Sequence, residues 1–292
     1  MKIEILEPFG YCAGVDRAIN MAFECKKEHP AQKVVVLGML VHNQDTLDEL
    51  ARSGIETLFE ENTSLLALID KVDKNSIVIL TAHGHAKAIE EKLNRLNIPF
   101  IDATCPFVTL TEEMIEHGLE EGRDVLYLGK KNHPEANAAL SLSPRVHLID
   151  PKHVKLDEKY HRPLVISQTT FSEAEIAQAV DIIKSNQNDA VIAKSICHAS
   201  SLRQSALKDL SNDVELIYVV GGKNSNNTKT LFEIASASHP KAKVFMIQNA
   251  SEINKKDLIG LNYIAISSGA STPKEVTLKV KETIESLLDQ FW

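Results

Sequence analysis

Three cysteines, Cys12, Cys105 and Cys197, stand 93 and 92 residues apart, and each follows a short apolar run and precedes a helical pattern. Thiolates are soft ligands, so three of them in register point to a metal or an iron–sulfur cluster. Pro106, directly after Cys105, suits the first position of a helix, and a helix start offers free amide hydrogens and a dipole that favour a thiolate. A lone cysteine is most often a small buried apolar residue. That is the reading for Cys25, which lies inside a helical pattern and has no counterpart in the register.

The register continues beyond the cysteines. After each one comes a strand-like run ending in glycine and then a polar cluster: GMLVHN (38–43), GKKNHPE (129–135) and GGKNSNN (221–227). Later comes another run ending in hydroxyl or imidazole groups: TAHG (81–84), SQTT (167–170) and SGAS (268–271). The spacing implies three α/β units of roughly 95 residues. We place them at 14–104, at 105–195, and at 196–292 with the N-terminal strand 1–13 added to the third.

The elements that must position these residues follow from periodicity. The β-branched runs at 33–38, 76–81, 124–129, 163–167, 215–221 and 262–267 are too short for helices and alternate with helical patterns, which indicates α/β units with parallel sheets. Ser172 followed by Glu175 is a capping box opening a helix. Parallel sheets present their functional groups at the carboxyl ends of their strands. Arranged about a pseudo-threefold axis with those ends inward, the units would bring the three thiols to the centre. Around them would stand His42, His83, His133, Glu135, Thr169, Thr170, Ser225, Asn227 and Ser271. The remaining histidines, His29, His85, His117, His147, His153, His161, His198 and His239, occupy no landmark and are read as structural or surface groups.

Composition excludes several classes. The 292 residues are 43% hydrophobic and 25% charged, an ordinary globular balance. A net charge of −8 argues against nucleic-acid binding, which depends on clustered Lys and Arg. The N-terminus carries Glu4 where a signal peptide is apolar, and no run reaches the eighteen or so apolar residues of a membrane span. The expected setting is the cytoplasm, without membrane contact. Zinc on three cysteines and a water is one candidate occupant, although such sites usually include a close cysteine pair. A four-iron cluster held by three thiolates would leave one iron open for a substrate oxygen. The neutral ring of donors suits a phosphate-bearing ligand at helix starts.

The motifs YCAGVDRAI (11–19), VHN (41–43), AHG (82–84), DATCP (102–106), HPE (133–135), SQTT (167–170), ICHASSLRQ (196–204), KNSNNT (223–228) and GASTP (269–273) together closely resemble the 4-hydroxy-3-methylbut-2-enyl diphosphate reductase family of the non-mevalonate isoprenoid pathway. The resemblance implies one four-iron, four-sulfur cluster per chain on Cys12, Cys105 and Cys197. It also implies reductive loss of the allylic hydroxyl of (E)-4-hydroxy-3-methylbut-2-enyl diphosphate, giving isopentenyl and dimethylallyl diphosphate. By the same resemblance His42, His83, His133, Thr170, Ser225, Asn226, Asn227 and Ser271 bind the substrate. Glu135 supplies the proton that releases the hydroxyl as water, and Thr169 orients that hydroxyl. Electrons would come from an external one-electron donor such as ferredoxin or flavodoxin. A quinolinate synthase-like enzyme and a non-enzymatic iron–sulfur sensor are the competing readings. Two positions depart from the family pattern. Asn132 stands where the family has Gly, harmless if its φ is not positive, and Asn226 stands where a phosphate-binding Ser is expected.

Overall fold

The computed structural model of the chain describes residues 1–41, 43–156 and 159–289. In chain order the elements are β1 (Lys2–Ile5), α1 (Ala13–Glu28), β2 (Val34–Leu37), α2 (Gln44–Arg52), β3 (Ile55–Leu58), α3 (Leu65–Leu68), β4 (Ile77–Leu80), α4 (Lys87–Arg95) and β5 (Phe100–Asp102). They continue with α5 (Pro106–Glu120), β6 (Val125–Leu128), α6 (Pro134–Leu142), β7 (Val146–Ile149), β8 (Leu164–Ser167), α7 (Glu173–Asn186) and β9 (Val191–Ile192). The last are α8 (His198–Lys208), β10 (Leu216–Val220), α9 (Asn226–Ser238), β11 (Lys243–Ile247), β12 (Tyr263–Ser268) and α10 (Lys274–Asp289).

The strands form three four-stranded sheets, every pairing parallel, in the orders β3-β2-β4-β5, β7-β6-β8-β9 and β11-β10-β12-β1. All three follow one plan, in which the second strand takes the edge beside the first, and the third and fourth extend the other side. In the last sheet the N-terminal strand fills the fourth place. The fourth strands β5, β9 and β1 are the ones that run on towards Cys105, Cys197 and Cys12. The α/β class with parallel sheets is therefore as expected.

By contact the chain divides into two compact units: Met1–Ala13 with Val41–Thr46 and Cys197–Trp292, and Gly14–Leu40 with Leu47–Ile196. In the first, alternate residues of β10 face opposite ways. Ile217 and Val219 pack with Leu207 and Leu231 of α8 and α9, whereas Leu216, Tyr218 and Val220 pack with Val280 and Ile284 of α10. In the second unit, Val125 and Tyr127 of β6 meet Ile115 of α5 and Ala136 of α6, while Leu126 and Leu128 meet Ala179 and Ile183 of α7. Leu37, Val78 and Leu80 pack against Ile89 and Leu93 of α4. Burial on both faces explains the continuous Val, Ile and Leu runs of the central strands. Ser172 caps α7 with the full reciprocal pair to Glu175. Among the described residues no helix is long and apolar enough to cross a membrane.

Candidate active site

In the larger unit, the loops after β4, β5, β6 and β8 carry the functional side chains. Cys105 is the N-cap of α5, with Pro106 at its first turn. Arg17 of α1 donates to the carbonyl of Thr104 at 3.1 Å, which ties α1 to the residue before that cysteine. Gly14 lies so close that a Cβ there would stand 2.6 Å from the Cys105 sulfur. Any side chain at 14 would displace the thiol.

His133 caps α6, and its Nδ1 accepts from the amide of Glu135 at 3.3 Å. Its ring meets that of His83 edge to face, centroids 6.1 Å apart. The condition under which Asn132 would be harmless, a φ that is not positive, is not met: its φ is 66°. The turn from Lys130 to His133, closed by a 3.1 Å hydrogen bond between their backbones, needs the left-handed conformation just before the helix. Asn reaches it with the least strain of any side chain, so the departure from Gly is accommodated by residue type.

Glu135 sits in the first turn of α6 and is 5% exposed. The amide of Thr169 donates to its Oε2 and the Thr169 hydroxyl to its Oε1, both at 2.9 Å. Burial raises the carboxyl to about 7, against the pull of these two hydrogen bonds. A group with that value holds a proton near neutral pH and can release it, the condition for general acid work. Gln168, fully buried, accepts from the Lys130 amide at 3.2 Å and donates to the Thr170 hydroxyl at 2.9 Å. It thereby joins the loop after β6 to the loop after β8, and so holds Glu135 and Thr169 in mutual register.

In the smaller unit, Cys12 immediately precedes α1, and its amide donates to the Ala270 carbonyl at 2.9 Å. Cys197 is the N-cap of α8; the Ser200 amide donates to its sulfur at 3.4 Å, and the Ser200 hydroxyl lies 3.1 Å from it. Asn227 donates to that hydroxyl at 3.4 Å and accepts from the Ala270 amide at 2.8 Å. It therefore links the start of α9 to the Ala270–Ser271 turn and to the Cys197 helix. Ser225 is the N-cap of α9, accepting from Thr228, and Asn226 is its first residue. Tyr11 and Thr46 share a 2.6 Å hydrogen bond, and Thr46 donates its amide and hydroxyl to Asn43 at 3.1 and 3.0 Å. That chain anchors the segment next to His42, which lies outside the described residues. Cys25 is buried in α1, and burial pushes its thiol up, as its structural reading requires.

The model of the LytB protein family matches residues 3–285. The chain belongs to the LytB family. This LytB chain is 34% identical to the 4-hydroxy-3-methylbut-2-enyl diphosphate reductase of Geobacillus thermodenitrificans, over 98% of this chain and 90% of that one. It is 36% identical to the enzyme of the same name from Bacillus cereus, again over 98% and 90%. The solved E-1-hydroxy-2-methyl-but-2-enyl-4-diphosphate reductase from Plasmodium falciparum superposes with a TM-score of 0.85 at 26% identity, over 96% of this chain and 86% of that chain. The LytB chain is thus an α/β oxidoreductase.

Three residues of the LytB chain carry weight that pattern alone did not assign. Gln168 and Arg203 lie inside the quoted motifs, but a role for either needs the tertiary neighbours. Glu112 of α5 lies outside every motif. Its Oε1 is buried with no hydrogen-bond partner and would stand 2.9 Å from a Cβ at Gly84. Burial and the charges of Asp102, Glu116 and Glu135 raise its carboxyl to about 7.

Proposed function

We propose that this chain reduces (E)-4-hydroxy-3-methylbut-2-enyl diphosphate, with two electrons and two protons, to isopentenyl and dimethylallyl diphosphate and water. The observation that carries the reading is the buried Glu135–Thr169 pair: a carboxyl kept ready to donate, with a hydroxyl fixed beside it, at the carboxyl ends of β6 and β8. A sensor has no use for such a pair.

Cys12, Cys105 and Cys197 form no disulfide among the described residues, are partly accessible, and each stands at the start of a helix. Gly14 leaves space against Cys105, and burial pushes the Arg203 guanidinium down while the Cys12 and Cys197 thiols pull it up. That donor set fits a four-iron, four-sulfur cluster, one per chain. When bound, the cluster supplies electrons singly and a Lewis-acidic iron.

The chain's own groups do the rest. Glu135 holds a proton on its carboxyl and gives it to the leaving hydroxyl oxygen. Thr169, fixed by Glu135, orients that hydroxyl. Ser225, Asn226, Asn227 and Ser271, with His42, His83, His133 and Thr170, bind the diphosphate through directed hydrogen bonds at helix starts. A soluble one-electron donor such as ferredoxin or flavodoxin, in the reducing cytoplasm, fits this chemistry. The test is anaerobic purification, iron and sulfide counting, then incubation with the allylic diphosphate and a reduced one-electron donor. Formation of the two isoprenoid diphosphates is expected; a fully loaded protein that leaves the substrate unchanged would overturn the assignment.

A further inference from the structure

Arg203 of α8 is only 3% exposed. One terminal nitrogen donates to the Gly10 carbonyl at 2.7 Å and the other to the Ala199 carbonyl at 3.0 Å. Its Nε–H is buried and unpartnered. A buried charge of this kind is costly unless an opposite charge answers it, and a guanidinium does not shed its proton. The groups that act on it electrostatically in favour of its charged form are Cys12 and Cys197, and neither is a carboxylate. The guanidinium thus acts on two sulfurs that ligation to a metal would hold as thiolates.

The same side chain holds the approach to Cys12. Gly10, at φ 84°, has its carbonyl held by Arg203, while its amide donates to the Ser268 hydroxyl at 3.3 Å. Two residues on, the Cys12 amide is fixed by the Ala270 carbonyl. The turn that delivers the Cys12 sulfur is therefore pinned on one side by Arg203 and on the other by the end of β12.

We propose that Arg203 is a positioning residue for the metal centre: it clamps the Cys12 turn through Gly10, and its fixed positive charge offsets the charge of the Cys12 and Cys197 thiolates, so setting the potential at which the centre takes up an electron. This rests on the cluster reading given above. Each added electron makes the thiolate-bound centre more negative, and a permanent cation in a poorly screened interior stabilises the reduced state more than the oxidised one.

The test uses the full chain, loaded anaerobically, as wild type and as Arg203→Lys, Arg203→Gln and Arg203→Met. Two quantities are read: iron per chain and the midpoint potential of the centre by spectroscopically monitored redox titration. In both neutral variants the potential should move to more negative values by a similar shift. In Arg203→Lys it should stay near wild type even where weaker purchase on Gly10 lowers iron content. If Arg203 is merely structural, iron falls in step across the variants while the centre that remains keeps the wild-type potential, and the proposal fails. Should neither neutral variant load, Arg203→Lys decides: loading at the wild-type potential supports the charge role, and failure alongside the others overturns it. A wild-type chain that takes up no iron refutes the cluster reading itself, an outcome separate from either.

Discussion

Glu135→Gln should make the protein more stable above neutral pH and almost inactive. The unfolded chain loses this proton near 4.5, whereas burial holds it in the folded chain to about 7. Between those values the folded state binds more protons than the unfolded state, so stability falls as pH rises, and the loss is complete above the folded value. A rise of that size is worth roughly 3 kcal/mol at about 1.4 kcal/mol per pH unit. Glutamine is neutral throughout and can keep both Thr169 partners, its Oε1 accepting from the amide and its Nε2 donating to the hydroxyl, which then accepts. The stability gap between variant and wild type should therefore grow from near zero below about pH 4.5 to roughly 3 kcal/mol above about pH 7. Urea midpoints measured anaerobically from about pH 5 to about pH 8.5, paired with turnover at neutral pH, give both readings. Turnover should fall by roughly a hundred- to ten-thousand-fold, the usual scale for a lost general acid. A gap that is flat with pH would show that burial does not hold the proton on Glu135. Near-normal turnover would remove its catalytic role.

Other substitutions test separate parts of the account. Serine at Cys12, Cys105 or Cys197 should strip or degrade the iron centre, whereas Cys25→Ser should leave the iron content unchanged. Gly14→Ala places a Cβ 2.6 Å from the Cys105 sulfur and should lower iron content with little effect on secondary structure by circular dichroism; full loading would mean α1 can shift. Asn132→Val should destabilise the protein by about 1–2 kcal/mol in urea, because β-branched residues resist positive φ, while Asn132→Gly should be close to neutral. Glu112→Gln removes a carboxyl raised by burial and by Asp102, Glu116 and Glu135. It should stabilise the fold above pH 7 and not below pH 4.5, with wild-type-like pH behaviour counting against a buried, proton-holding Glu112.

The central strands were legible because β2, β4, β6, β8, β10 and β12 are buried end to end, so each reads as a short β-branched run closed by Gly or a hydroxyl. The edge strands β3, β7 and β11 were not named in the sequence. Each is only partly buried and carries polar residues such as Glu56, His147 and Lys243, which break the apolar pattern. The cysteine register was legible because the fourth strand of each sheet, β5, β9 or β1, is followed within a few residues by one of the three. Glu135 and Thr169 were recognisable as members of motifs, but their 2.9 Å pairing joins residues 34 positions apart. Arg203 and Glu112 owe their character to burial and to neighbours brought in by the fold, which no local spacing encodes. The positive φ of Asn132 escaped for the related reason that a turn's handedness is set by the elements it connects.

The most direct test of the central claim is electron and product counting under anaerobic conditions: the loaded wild-type chain, limiting reduced one-electron donor and excess allylic diphosphate. Two equivalents of donor oxidised for each molecule of isopentenyl plus dimethylallyl diphosphate formed is the expected result. Donor oxidation that yields no dehydroxylated diphosphate, or product formed without donor oxidation, would contradict it.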